Sequence, residues 1–317
     1  MKAKLIANPV AGRDGAPDAL VGINERLRPA MGELDIVLTV AAGDAARAGA
    51  EAAREGCDHV FVAGGDGTLN EVLNGVASVP SALARLTFGL LPLGTGNDFA
   101  RALGVPEDAE GALEILAEGR VAEVDLGSVA GRFFVNVSAG GFVAEVSDAV
   151  DPALKSVAGR LAYVVGGAGA LLEHQPVELT VRAEGRAPES ALVSLFAVCN
   201  SRLVGGGRLI APYALVDDGL LDVCLVAEMK TLELVGLLRK VARGEHVEDE
   251  RVTYFQTREV ELRSPRPFKV NTDGEVLVTD VCRYTVLPRA ARFFAGEMPF
   301  ALESVPQEVP AQAAVTP

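Results

Sequence analysis

His59-Val60-Phe61-Val62-Ala63-Gly64-Gly65-Asp66-Gly67-Thr68 is an unbroken apolar run that passes straight into a glycine-rich turn. A run without polar alternation suits a strand buried on both faces, and from about Leu69 the spacing becomes helical, so the stretch reads as strand, tight loop and helix. A second unit repeats it: Thr87 to Leu91 as strand, Pro92 to Gly96 as tight loop, and a helix opened by Asn97 that carries Phe99, Ala100 and Leu103. Toward the amino end, Lys4 to Ala7 reads as a strand, Pro17 to Met31 as a helix with Leu20, Ile23 and Leu27 on one side, and Asp44 to Glu55 as another helix. Strands alternating with helices predict an α/β domain built on a parallel sheet.

Beyond Val124 the texture changes to successive β-type runs: Phe133 to Val137, Val177 to Val181, Leu192 to Val198, Leu220 to Val226 and Val252 to Arg263. That pattern predicts a second, mostly antiparallel β-sandwich domain. Thr231 to Arg243 interrupts it with a helix whose apolar face holds Leu234, Leu237, Leu238 and Val241. The expected division is an α/β domain over residues 1–124, with 287–300 packing back on it, a β-rich domain over 125–286, and a disordered tail over 301–317. Val157 to Leu172 is apolar but carries Arg160 and falls short of the ~20 residues a bilayer span needs, so a buried helix is expected there.

A chain of 317 residues with 49% apolar and 23% charged residues can build a large core. The net charge of −14 lacks the basic footprint of a nucleic-acid binder, and it opposes an anionic membrane unless basic residues gather on one face. Cys57, Cys199, Cys224 and Cys282 have apolar neighbours and no CxxC pairing, which predicts reduced core thiols. His59, His174 and His246 show no metal-ligand spacing, and the charged run Glu245 to Arg251 reads as a solvated loop or helix end. The apolar run before Pro9 is too short for a secretory signal, so a cytoplasmic location is expected.

Gly64-Gly65-Asp66-Gly67-Thr68 stands where a strand ends and a helix begins, so its N–H groups can converge on an anion. Asp66 would repel a bare phosphate; beside one it suits a bound divalent cation or a positioning role. A plain turn, with Thr68 and Glu71 as a helix capping box, is the competing reading. The second loop, Pro92-Leu93-Gly94-Thr95-Gly96-Asn97-Asp98, favours a nucleotide cleft. No Gly-x-x-x-x-Gly-Lys-Ser/Thr occurs, which excludes a P-loop, and Phe99 occupies the third-glycine position of a dinucleotide fingerprint. Asp273-Gly274-Glu275, between Phe268 to Asn271 and Val276 to Val281, reads on its own as a hairpin turn.

Asn8-Pro9-Val10-Ala11-Gly12, Gly64 through Glu71, Pro92 through Arg101 and Asp273-Gly274-Glu275 together resemble the ordered motifs of the diacylglycerol kinase catalytic family, bacterial lipid kinases above all. The first glycine loop alone is shared with NAD kinases and phosphofructokinases. The resemblance implies a first domain like that of NAD kinase, a second β-rich domain, and ATP bound between them. It implies ATP contacts at Asn8, Arg13, Thr39, Gly64, Gly65, Asp66, Gly67, Thr68, Leu69, Asn70, Gly94, Thr95 and Asn97. It makes Glu275 the acceptor of the lipid hydroxyl's proton, with Asp273 as second choice and Asp66 also in the catalytic set.

The same resemblance implies a magnesium site formed by the Asp218 carboxylate and the carbonyls of Leu215 and Leu220, where a plain Asp-Gly turn is the alternative. It also implies an enzyme that reaches its lipid from the cytoplasm as a peripheral membrane protein, with a homodimer left open. A soluble kinase for NAD or a sugar phosphate, or a nucleotide-binding protein without catalysis, are the competing functions.

Overall fold

A strand that is apolar on both sides is stable only when helices cover both faces of its sheet, and the first part of the chain builds that arrangement. The computed structural model describes residues 1–11, 16–141 and 176–298; the expectations attached to Arg13, Val157 to Leu172, His174 and the tail beyond Phe300 lie outside them. Among the described residues the chain divides into two compact units, Met1–Leu126 with 288–298, and Gly127–Leu287.

In the first unit, β1 (Lys2–Ala7), β2 (Glu33–Leu38), β3 (His59–Gly64) and β4 (Thr87–Pro92) form a parallel sheet in the order β4-β3-β1-β2. The end of the last strand among the described residues returns parallel to β4, pairing Arg292 with Thr87 and Phe293 with Phe88. Neighbouring residues on a strand face opposite ways, so Phe293 stacks on Phe88 and meets Phe99, while Phe294 packs on Phe61. Helices α1 (Ala16–Ala30), α2 (Asp44–Arg54), α3 (Asp66–Ala77), α4 (Ala82–Arg85), α5 (Asp98–Ala102) and α6 (Ala109–Glu118) connect the strands. Helices α2 and α3 pack backbone to backbone: a Cβ on Gly75 would lie 1.9 Å from the Ala46 carbonyl oxygen, and one on Gly49 2.5 Å from that of Val72.

The helices of the first unit depart from the sequence expectation. Helix α3 begins at Asp66 rather than near Leu69, so Asp66, Gly67 and Thr68 are its first turn, and Gly65 is its N-cap. The Thr68–Glu71 capping box is therefore not formed; Glu71 Oε2 instead accepts the Gly43 N–H at 3.0 Å. Helix α6, capped by Asp108 accepting the Gly111 N–H at 2.8 Å, has no counterpart in the expectations.

The second unit is antiparallel. Strands β5 (Val121–Val129), which enters from the first unit, and β6 (Arg132–Phe134) form a hairpin, followed by β7 (Val137–Gly141), β8 (Val177–Ala183) and β9 (Glu189–Cys199). A short ribbon, β10 (Leu203–Val204) with β11 (Arg208–Leu209), precedes β12 (Leu221–Ala227), β13 (Val252–Thr257), β14 (Glu259–Thr272) and β15 (Glu275–Phe294). The order β13-β12-β9-β7-β14-β15 is closed on one side by β8, which pairs with both β9 and β14. One apolar layer holds Phe134, Phe196, Phe268 and Tyr284; the other sets Cys199, Cys224 and Tyr254 against Leu234, Leu237 and Val241 of α7 (Thr231–Val241).

The architecture is an α/β domain joined to a mostly antiparallel β-sandwich domain. The expected strand Phe133 to Val137 is broken at Val135 and Asn136, whose N–H groups bond a side chain rather than a neighbouring strand. The charged run Glu245 to Arg251 is not fully solvated: it forms a short 3-10 turn over Glu245–Glu248 that buries His246 and Val247. All four cysteines are free and buried, and burial pushes the Cys224 thiol up to about 12.

Candidate active site

In a parallel sheet all strands end on the same edge, and loops gather there. At that edge of the first unit, the Asn8 N–H bonds the Ala63 carbonyl at 2.9 Å, the Thr39 N–H that of Ala7 at 2.8 Å, and the Leu93 N–H that of Gly64 at 3.0 Å. These bonds bring together the loops bearing Asn8, Thr39, Gly64 to Asn70, and Gly94 to Asn97. The Asn8 side chain closes its own turn by accepting the Val10 N–H at 3.1 Å. The loop after β2 is held by Asp44, whose carboxylate accepts from Val40 and Ala41 at 2.9 and 3.0 Å; those bonds hold its carboxyl below the usual range.

The two glycine loops touch. A Cβ on Gly94 would lie 2.5 Å from the Gly65 Cα, so only glycine permits this approach. Helix α3 leaves the N–H groups of its first turn without intrahelical partners, and its dipole adds partial positive charge, an arrangement that attracts anions. The Asp66 carboxylate does not point at this turn alone. It accepts the N–H groups of Asp98 and Phe99 at 3.1 and 3.0 Å, capping α5 and tying one loop to the other. Asn97 has φ +54° and is 2% exposed; its Nδ2 donates to the Gly94 carbonyl at 2.8 Å, while its Oδ1 is buried with no hydrogen-bond partner among the described residues. Buried polar atoms without a partner are rare, which sets this turn of the second loop apart.

Some anticipated contacts lie beneath the loop rather than on it. Leu69 is buried and its N–H bonds the Gly65 carbonyl at 3.1 Å; Asn70 is buried and accepts from Asn74 Nδ2 at 3.1 Å. Gly67 and Thr95 are exposed. Asp98 was not among the sequence candidates, although it is 5% exposed in the first turn of α5 and pairs with Arg101 at 3.7 Å. Its position next to Asn97 was the available signal.

In the second unit, Asp273 and Gly274 form a two-residue hairpin turn with φ of +45° and +97°, which sets Glu275 opposite Thr272 as the first residue of β15. Asp273 is 9% exposed. Its carboxylate accepts the N–H groups of Val135, Asn136 and Val137 at 2.7, 3.2 and 2.9 Å, so both oxygens are committed to the backbone. Glu275 is half-buried and forms an ion pair with Arg132 on β6. Leu215 to Leu220 form a separate turn in which exposed Asp218 accepts the Leu220 N–H at 2.9 Å. Among the described residues no three His, Cys, Asp or Glu side chains cluster as metal ligands.

The sequence profile of the diacylglycerol kinase catalytic domain matches residues 2–129, and that of the YegS C-terminal NAD kinase beta sandwich-like domain matches 136–295. The chain is 34% identical over 275 residues to a diacylglycerol kinase of Bacillus subtilis strain 168, covering 86% of this chain and 89% of that one. It is 34% identical over 278 residues to a diacylglycerol kinase of Staphylococcus aureus strain bovine RF122 / ET3-1, covering 86% of each. A solved structure from Bacillus anthracis strain Sterne, provisionally described as a diacylglycerol kinase, aligns over 93% of this chain and 95% of that one with a TM-score of 0.79 and 28% identity. With both profiles in chain order and relatives matched over most of their length, the chain belongs to the diacylglycerol kinase catalytic family of lipid kinases.

Proposed function

We propose that this enzyme transfers the γ-phosphoryl group of ATP to the hydroxyl of diacylglycerol or a closely related lipid. The observation that carries the ATP reading is the contact of two glycine loops at the open edge of the parallel sheet, with the first turn of α3 and the orphaned Asn97 Oδ1 beside it. There the N–H groups from Gly65 to Thr68 would hold phosphate oxygens, Asn97 and Thr95 would fix the second loop against them, and Asn8 and Thr39 would line the neighbouring strand ends. Asp66 joins the loops, so its removal would disorder both halves of the phosphate site.

Phosphoryl transfer asks a protein mainly for alignment and charge stabilisation. Glu275 would accept the lipid hydroxyl's proton as the oxygen–phosphorus bond forms and the bond from the γ-phosphorus to the bridging oxygen breaks, releasing ADP. It suits this role better than Asp273, whose oxygens are already occupied by three N–H donors. Bound magnesium would supply positive charge at the transferring phosphates. The turn at Leu215, Asp218 and Leu220 offers one carboxylate and backbone carbonyls, hard oxygen donors that suit magnesium when waters complete the shell.

No helix among the described residues is long and apolar enough to cross a membrane. The setting proposed for this chemistry is the cytoplasmic membrane surface, with the enzyme attached peripherally to reach a hydroxyl held in the bilayer. The relatives named above support diacylglycerol as first substrate to try. Purified protein incubated with labelled ATP, magnesium and a total lipid extract should yield one labelled lipid phosphate, and Glu275→Gln should slow its formation about 100- to 10,000-fold. Labelling of NAD or a sugar phosphate in place of lipid would reject the proposal.

A further inference from the structure

Glu275 does not stand alone on its turn. Its carboxylate meets the guanidinium of Arg132, the first residue of β6. An ion pair between half-exposed side chains is by itself worth little and fixes little. Here, however, the backbones that carry the two residues are joined by more buried bonds. Arg132 follows the turn of β5 and β6, in which Ala130 and Gly131 have φ of +51° and +77°. Glu275 follows the turn in which Asp273 and Gly274 have φ of +45° and +97°. Both are two-residue turns with left-handed backbone at each central position, the kind that sets strand register tightly. Asp273, two residues before Glu275, binds the N–H groups of Val135, Asn136 and Val137, which begin three residues after Arg132. The β14–β15 hairpin tip is thus clamped by a buried carboxylate to the segment that follows β6, and the Arg132–Glu275 pair joins the same two hairpins beside that clamp.

An arginine fork can hold a carboxylate in one plane, whereas a lone glutamate on a strand end samples several rotamers. We propose that Arg132 is the positioning residue for Glu275: it holds that carboxylate in the orientation needed to receive the proton from the lipid hydroxyl. This inference rests on the reading of Glu275 as the base. Arg132 itself is assigned no contact with either substrate, and ATP binding in the first unit does not depend on it.

The test is a double-mutant cycle in a steady-state lipid kinase assay, with melting curves to show that each variant folds. Arg132→Ala should lower kcat about 10- to 100-fold, the scale of a small misplacement of a reacting group, with KM for ATP changed less than about twofold. Arg132→Lys, which keeps the charge but not the fork, should recover part of that loss. In a Glu275→Gln background, Arg132→Ala should add no more than about twofold, because the residue it positions is gone. Wild-type kcat in Arg132→Ala beside a strongly slowed Glu275→Gln would overturn the role of Arg132 and leave the base standing. An equal further loss in the Glu275→Gln background would overturn it too, whereas an active Glu275→Gln would remove the base and this inference together. If Arg132→Ala fails to fold, the cycle is run with Arg132→Lys and Arg132→Met, and equal activity of the two would overturn the proposal.

Discussion

Gly67→Ala separates what the glycine loop does for folding from what it does for a ligand. Gly67 is the second residue of α3, its φ is not positive, and a Cβ built on it meets nothing within 4 Å. Alanine there costs no contact and restricts the unfolded chain, so the variant should be more stable by about 0.5–1 kcal/mol. The added methyl, however, projects from the exposed turn where the phosphates of ATP are proposed to approach the backbone. Displacing one oxygen weakens a charge-assisted hydrogen bond worth about 1.5–3 kcal/mol, so ATP should bind at least about tenfold more weakly.

Thermal or urea unfolding with and without ATP reads both effects. At an ATP concentration of about 100 times the wild-type Kd, ligand stabilises the wild type by about 2.7 kcal/mol; a tenfold weaker variant gains only about 1.4 kcal/mol. A Gly67→Ala protein that is more stable yet gains the full ligand increment would refute phosphate binding at this loop. One that is less stable without ligand would refute the helix start at Asp66. Gly94→Ala is the contrasting control. Its Cβ would lie 2.5 Å from the Gly65 Cα and 2.8 Å from Asn97 Oδ1, so the loops must part, costing about 1–3 kcal/mol together with the ATP response.

Asp273→Ala strands three N–H groups and should destabilise the protein by about 3 kcal/mol or more in urea, with Asp273→Asn recovering part because one acceptor oxygen remains. Gly75→Ala drives a methyl to 1.9 Å from the Ala46 carbonyl and should lower the melting temperature far more than Gly67→Ala raises it, with α2 forced off α3. Asp222 is buried beneath Tyr254 and Gln256, and burial lifts its carboxyl from 3.8 to about 7. Its folded value lies above its unfolded one, so the stability it permits at low pH is lost as pH rises from 3.8 through about 7, a change on the order of 4 kcal/mol. Asp222→Asn should flatten that part of the stability–pH curve; an unchanged slope between those pH values would show that Asp222 stays ionised.

The parallel sheet and its glycine loops were legible in the sequence because the information is local. The run from His59 to Ala63 is apolar throughout, and such a strand must be covered on both faces, while glycines at its end announce close backbone approach. The same holds for Asp273-Gly274, whose turn chemistry specifies a hairpin without reference to the rest of the chain. Helix α6 escaped because Gly111 interrupts its first turn and its cap, Asp108, follows Pro106 and Glu107 in a stretch that reads as a loop. What only the tertiary structure decided is where each carboxylate points. Asp66 could face a cation or cap a helix, and it caps α5 because β3 and β4 lie side by side and bring Asp98 and Phe99 within reach. Asp273 and Glu275 are equivalent acids on paper; packing spends the first on the backbone of Val135 to Val137 and leaves the second at the surface with Arg132. Spacing along a chain fixes which residues can be neighbours in a turn, whereas the partner of a charged side chain is set by which distant strand folding brings within about 3 Å.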